Sequence, residues 1–206
     1  MFWKSGLEID ADGSPRAYGP NGLGLDYLGN AGHPGNWWGI VTDNGRPDGN
    51  PVVQGKGCPY PGYYISETSL QDSRRPAKDP ARYVNSETVP FIVLPVRPSL
   101  EAKLGDLAMV FRPSTGDSSF AIYADVGPSN QIGEGSIALA DNLQINSDPK
   151  HGGISGGVVT VLFKGVNIGW PKPNKKLLVT ANNAFKAWGG FAQLRKALPE
   201  IDWSLC

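Results

Sequence analysis

Cysteine and histidine are scarce: the 206 residues hold two of each. Cys58 and Cys206 could pair, but sequence does not say whether they do. So few thiols and imidazoles supply no zinc donor set, so neither a metal nor another cofactor is expected. Net charge is absent too. Nineteen Lys and Arg balance nineteen Asp and Glu, which argues against a nucleic-acid partner, whose recognition rests on a basic surface. No apolar run approaches the length of a membrane span, so no membrane partner is expected. Met1-Phe-Trp-Lys-Ser-Gly6 lacks an apolar core segment, so no signal peptide is read. The Gly-x-Ser-x-Gly nucleophile elbow is missing, and Gly135-Ser136-Ile137 only partly resembles it. Cys58 with His33 or His151 could form a thiol–imidazole pair. However, Cys58 sits between Gly57 and Pro59, with no helix N-terminus to lower its pKa.

Glycine (27) and proline (18) are abundant, which predicts many turns and few long helices. Hydrophobic residues make up 40%, enough for a sizeable core. Strands are expected within 7–19 (two, around an Asp12-Gly13 turn), 37–43, 63–70, 89–96, 104–111, 120–125 and 158–163. Helical spacing appears over 136–143 and, after a change of pattern at Leu177, again over 180–198 with a break at Gly189-Gly190. Residues 19–37 and 45–62 read as Gly/Pro-rich loops. Residues 1–206 form one mainly β domain, with no internal repeat. Asp10-Ala-Asp12-Gly13 begins like a calcium loop but lacks the closing glutamate, so it reads as a turn with solvated carboxylates.

The chemistry-bearing stretch is Phe120 to Ala140. An apolar run ends on Asp125, a Gly/Pro/Ser/Asn turn follows, and Gly133-Glu134-Gly135-Ser136 opens the helical run. Two readings are open. In one, Asp125 accepts bonds from turn amides and Glu134 sits in a first helical turn, where negative charge is favoured. In the other, the two carboxylates form the acid and base pair that glycoside hydrolysis needs. Asp125 would then stand on a rigid strand end, with Glu134 between glycines that let a polymer approach.

Asp125-Val-Gly-Pro with Ile132-Gly-Glu134-Gly-Ser136 resembles the fungal-type chitosanases, glycoside hydrolase family seventy-five, and their bacterial relatives. Asp10-Ala-Asp12-Gly13, Asp79-Pro80, Tyr83-Val84, Val89-Pro90-Phe91, Gly105-Asp106, the stretch from Gly152-Gly153 to Phe163, and Ala187-Trp188-Gly189-Gly190 extend the likeness over roughly residues 5–195. The resemblance implies an extracellular enzyme that cuts β-1,4 bonds of chitosan internally, with inversion. Glu134 would be the general acid and Asp125 the general base or stabilising carboxylate, their carboxyl groups about 6.5–9.5 Å apart. The Asp125 to Glu134 pattern also resembles a six-stranded double-psi β-barrel with a few short helices. Asp43, Glu67 and Asp117 are candidates for binding a cationic polymer, and Trp37, Trp38 and Tyr123 for stacking on sugars. The expected partner is a polysaccharide bound by a monomer. A non-catalytic polysaccharide-binding or wall-loosening barrel, and a peptidoglycan-directed hydrolase, are the competing functions.

Overall fold

A computed structural model describes residues 1–96 and 100–203. Its strands are β1 (Phe2–Asp10), β2 (Gly32–His33), β3 (Asn36–Trp37), β4 (Phe91–Pro95), β5 (Asp106–Arg112), β6 (Asp117–Gly127), β7 (Glu134–Ser136) and β8 (Ile154–Asn167). Three helices follow in chain order: α1 (Ile137–Asn142), α2 (Asn174–Trp188) and α3 (Gly190–Ala197). Six strands close a barrel in the order β1-β7-β4-β6-β5-β8, and β8 returns to pair with β1. The β1–β7 and β4–β6 pairs are parallel, and the other four are antiparallel. No helix is long and apolar enough to cross a membrane, among the described residues.

β4, β5 and the middles of β6 and β8 are buried on both faces, which is why they read as nearly continuous apolar runs. Alternate residues serve two apolar clusters. Phe91, Leu107, Met109, Ile122 and Val161 join one that continues into α2 and α3 through Leu177, Phe185 and Leu194. Ile92, Ala108, Val110, Tyr123 and Leu162 join the other, with Leu7 and Ile9 of β1 and Leu139 and Leu143 around α1.

Several expected elements differ in extent. The second strand expected within 7–19 is a turn, closed by Ala11 and Ser14 backbone groups. The strands expected at 37–43 and 63–70 shrink to β3 and isolated bridges, Ile40 to Ser66 and Val53 to Tyr64. That segment lies outside the barrel, where no neighbouring strand extends its ladder. Gly133 to Ser136 does not open a helix: Glu134–Ser136 is a barrel strand, and α1 begins after it. Three residues are too few for periodicity to register. The break in the C-terminal helical stretch falls at Gly189, whose φ of 113° ends α2 in the left-handed region. The Cys58–Cys206 question lies outside the described residues.

Ser136 ties strand to helix. It is fully buried, and its Oγ accepts from the Leu139 amide (3.1 Å), as an N-cap, and from the Phe91 amide (2.9 Å) of β4. Ser136→Ala would leave both amides without that acceptor, at a cost of about 1–3 kcal/mol. Thermal unfolding should show a fall in Tm of roughly 3–10 °C; an unchanged Tm would contradict this role.

Candidate functional site

Barrel register brings the two carboxylates together. Val93 of β4 is the register partner of Asp125 on one side and of Glu134 on the other. Glu134 is in turn the register partner of Glu8 on β1. Glu8, Glu134, Val93 and Asp125 therefore form a row across four adjacent strands, and all four line one cleft of about 740 Å³. Strands lie about 4.8 Å apart, so the Asp125 and Glu134 backbones are separated by roughly 10 Å.

A bulge aims Asp125. Ile92 pairs with Tyr123 and Val93 with Asp125, so Ala124 is an extra residue in β6. Bulges of this kind redirect a side chain. The Ala124 carbonyl accepts from the Leu70 amide (2.8 Å), which brings Ser69 against the site. Asp125 Oδ1 then accepts from the Ser69 amide (2.9 Å), the Ser69 hydroxyl (2.6 Å) and the Val126 amide (2.8 Å). On the other side, Gly127 makes room for Glu134. A Cβ at position 127 would lie 3.1 Å from Glu134 Oε2.

The N-terminal aspartates complete the site. Asp10 (6% exposed), Asp12 and Asp125 (8%) each place a carboxylate oxygen within 4.8 Å of the others. The expectation of solvated carboxylates at 10–12 is therefore corrected. The turn after β1 folds inward, where Ser66 Oγ donates to Asp12 (3.1 Å) and the Asp12 amide donates to Asp10 (2.6 Å). The buried Tyr18 hydroxyl also donates to Asp12. Three carboxylates at this spacing could embrace one cation.

Crowding and burial shape their ionisation. Two like charges at 4–5 Å repel by about 3–4 kcal/mol at an effective dielectric of 20. Burial raises the pKa of Asp10 and Asp12 well above the usual range, and neighbouring carboxylates add to the effect. Burial also raises Asp125, while its Ser69 and Val126 donors pull the other way. Glu134 is pushed up to about 7, first by burial, then by the charges of Asp125, Glu8 and Asp26. Neither Asp125 nor Glu134 enters an ion pair among the described residues.

The other candidates scatter. Trp38 lines the cleft, 55% exposed, its Nε1 donating to the Asn30 carbonyl (2.8 Å). Glu67 is half-buried, close enough to Asp125 for that charge to raise its pKa after burial. Asp43 is exposed on a loop and accepts from Asn50, away from the cleft lining. Asp117 begins β6, eight residues before Asp125, or roughly 26 Å along the strand. Trp37 (7% exposed) packs with Tyr18 and Ile40, and Tyr123 (5%) packs in the barrel cluster, so neither ring face is free for a sugar. Cys58 and both histidines are absent from the cleft lining among the described residues. Sequence reading missed Asp10, Asp12, Tyr18, Asp26 and Ser69 as site residues. Only the Asp10-x-Asp12-Gly13 turn carried a signal.

Comparison with protein-family models finds no match, and comparison with curated proteins finds none.

The burial of Asp12 has a consequence for stability. A carboxyl whose folded pKa is raised keeps its proton where the unfolded chain has lost it. Stability therefore falls as pH rises from the ordinary aspartate range toward the folded pKa. Asp12→Asn can still accept from Ser66 but cannot ionise. Its Tm should exceed that of the native protein by about 2–6 °C at pH 8, with the gap closing near pH 3.5. A lower Tm at every pH would contradict the electrostatic account.

Proposed function

We propose that this chain is an inverting, endo-acting glycoside hydrolase that cuts the β-1,4 bonds of chitosan or a related amino-sugar polymer. Its barrel, with two parallel and four antiparallel pairings, is proposed to be of the double-psi type. The observation that carries the reading is the register row: Asp125 and Glu134 face one cleft from either side of β4. Their backbone separation of roughly 10 Å suits two carboxyl groups with a water between them, as inversion requires. The resemblance to the family-seventy-five chitosanases supplies the substrate class.

Glu134 is the general acid. Held up to about 7, it keeps a substantial protonated fraction near neutral pH and can protonate the leaving glycosidic oxygen. Asp125 is the general base. Three donors fix its Oδ1, and they favour its ionised form against burial. It takes a proton from water attacking the opposite face of the sugar. Trp38 offers an exposed ring on the cleft wall, and Glu8 offers a carboxylate to sugar amines. A binding-only barrel has no need of a second carboxylate placed opposite the first, and here Glu134 stands there with a raised pKa.

Reducing-end release from chitosan, chitin and peptidoglycan by the native protein, Asp125→Asn and Glu134→Gln tests the reading. Chitosan should be cleaved, and each variant should lose at least 100-fold in kcat. Chitosan cleavage retained in both variants would defeat the pair. No release from any polymer by the native protein would favour a binding module, and release from peptidoglycan alone would change the substrate.

A further inference from the structure

Among the described residues, the cleft is lined by six carboxylates (Glu8, Asp10, Asp12, Asp26, Asp125 and Glu134) and by a single basic side chain, Lys150. That lysine is anchored. Its Nζ donates to the Gly24 carbonyl (3.0 Å) and lies 5.4 Å from the centre of the Tyr27 ring. His151 packs edge-on to the same ring, with centroids 6.3 Å apart. The Lys150 amide donates to Asp148 Oδ1 (2.8 Å), which fixes the backbone from which the side chain starts. Lys150 thus joins the loop after β7 and α1 to the loop before β2. It sits between the main cleft and a second cavity of about 610 Å³, which shares Pro149 and Lys150 and is otherwise lined by residues such as Arg16, Gly24 and Asp148.

A fixed ammonium in an otherwise acidic cleft sorts a cationic polymer by position. A free amine on a sugar is welcome beside Glu8, whose carboxylate lines the cleft and can pair with it. Beside Lys150 the same amine meets an ammonium held by the Gly24 carbonyl, and like-charge juxtaposition in a partly desolvated site is a strong selector. An N-acetylated sugar carries no charge there, and its amide can accept or donate hydrogen bonds. Loss of the lysine charge would remove this distinction without touching Asp125 or Glu134.

We propose that Lys150 is a specificity-determining residue: the sugar bound beside it is N-acetylated, while the sugars nearer Glu8 carry free amines. This rests on the amino-sugar reading above and sharpens the substrate to a partly acetylated chain.

Binding measured by calorimetry in a Glu134→Gln background, where cleavage is suppressed, tests it with two probes. One is a fully deacetylated glucosamine tetramer; the other is the set of tetramers bearing one N-acetyl group. With Lys150 present, the best monoacetylated tetramer should bind about ten-fold more tightly than the deacetylated one. Lys150→Arg should keep that preference, Lys150→Gln should shrink it, and Lys150→Glu should abolish or reverse it. Gln provides the milder change should Glu disturb the loops, and Tm reports on folding in each variant. The same preference in all four proteins would overturn the role of Lys150 while leaving the hydrolase reading intact. Absence of binding for both probes would overturn both together.

Discussion

Mutual repulsion among buried carboxylates is the constraint around which this structure is organised. Asp10, Asp12 and Asp125 lie within 4.8 Å of one another at the oxygens, and Glu134 feels Asp125, Glu8 and Asp26. An apolar filling would be less costly at the same place. The arrangement persists because barrel register fixes it: Glu8, Glu134 and Asp125 stand on β1, β7 and β6 around Val93, and Asp10 ends β1. The barrel clusters on the two faces of these strands supply the rigidity that holds the charges in place. Stability given up at such a cluster is a familiar signature of a functional site.

That constraint also acts to different degrees on chemically similar groups. Asp125 receives three hydrogen bonds on one oxygen, whereas Glu134 has burial and neighbouring charge raising its pKa and, among the described residues, no donor to oppose them. The Ala124 bulge links geometry to electrostatics. It exposes a carbonyl to Leu70, and so delivers Ser69 to Asp125. At the other end, Lys150 gives the acidic cleft a basic lining side chain, tied to Gly24 and Tyr27.

Much of the barrel was legible in the sequence because several of its strands are buried on both faces. Phe91–Pro95, Asp106–Arg112 and the middle of β8 appear as apolar runs, and the glycine pair marks the joint between α2 and α3. Register was not legible. Nothing local says that a three-residue segment, Glu134–Ser136, pairs with β1 and β4, so Glu134 looked like part of a helix start. The inward fold of Asp10 and Asp12 was hidden for a similar reason, since the contacts that bury them come from Ser66 and Tyr18, far along the chain or beyond a turn. Aromatics were ambiguous by type alone: Trp37 and Trp38 are neighbours, yet one is packed in a core and the other faces the cleft.

Burial, and then neighbouring charge, keep the Glu134 carboxyl partly protonated at neutral pH. Carboxyl carbon NMR titration of Glu134, in the native protein and in Asp125→Asn, measures this directly and needs no substrate. The account predicts a midpoint near pH 7, as set by the shift from 4.5 to about 7, moving downward when the Asp125 charge is removed. A midpoint near the ordinary 4.5, unchanged by Asp125→Asn, would contradict it.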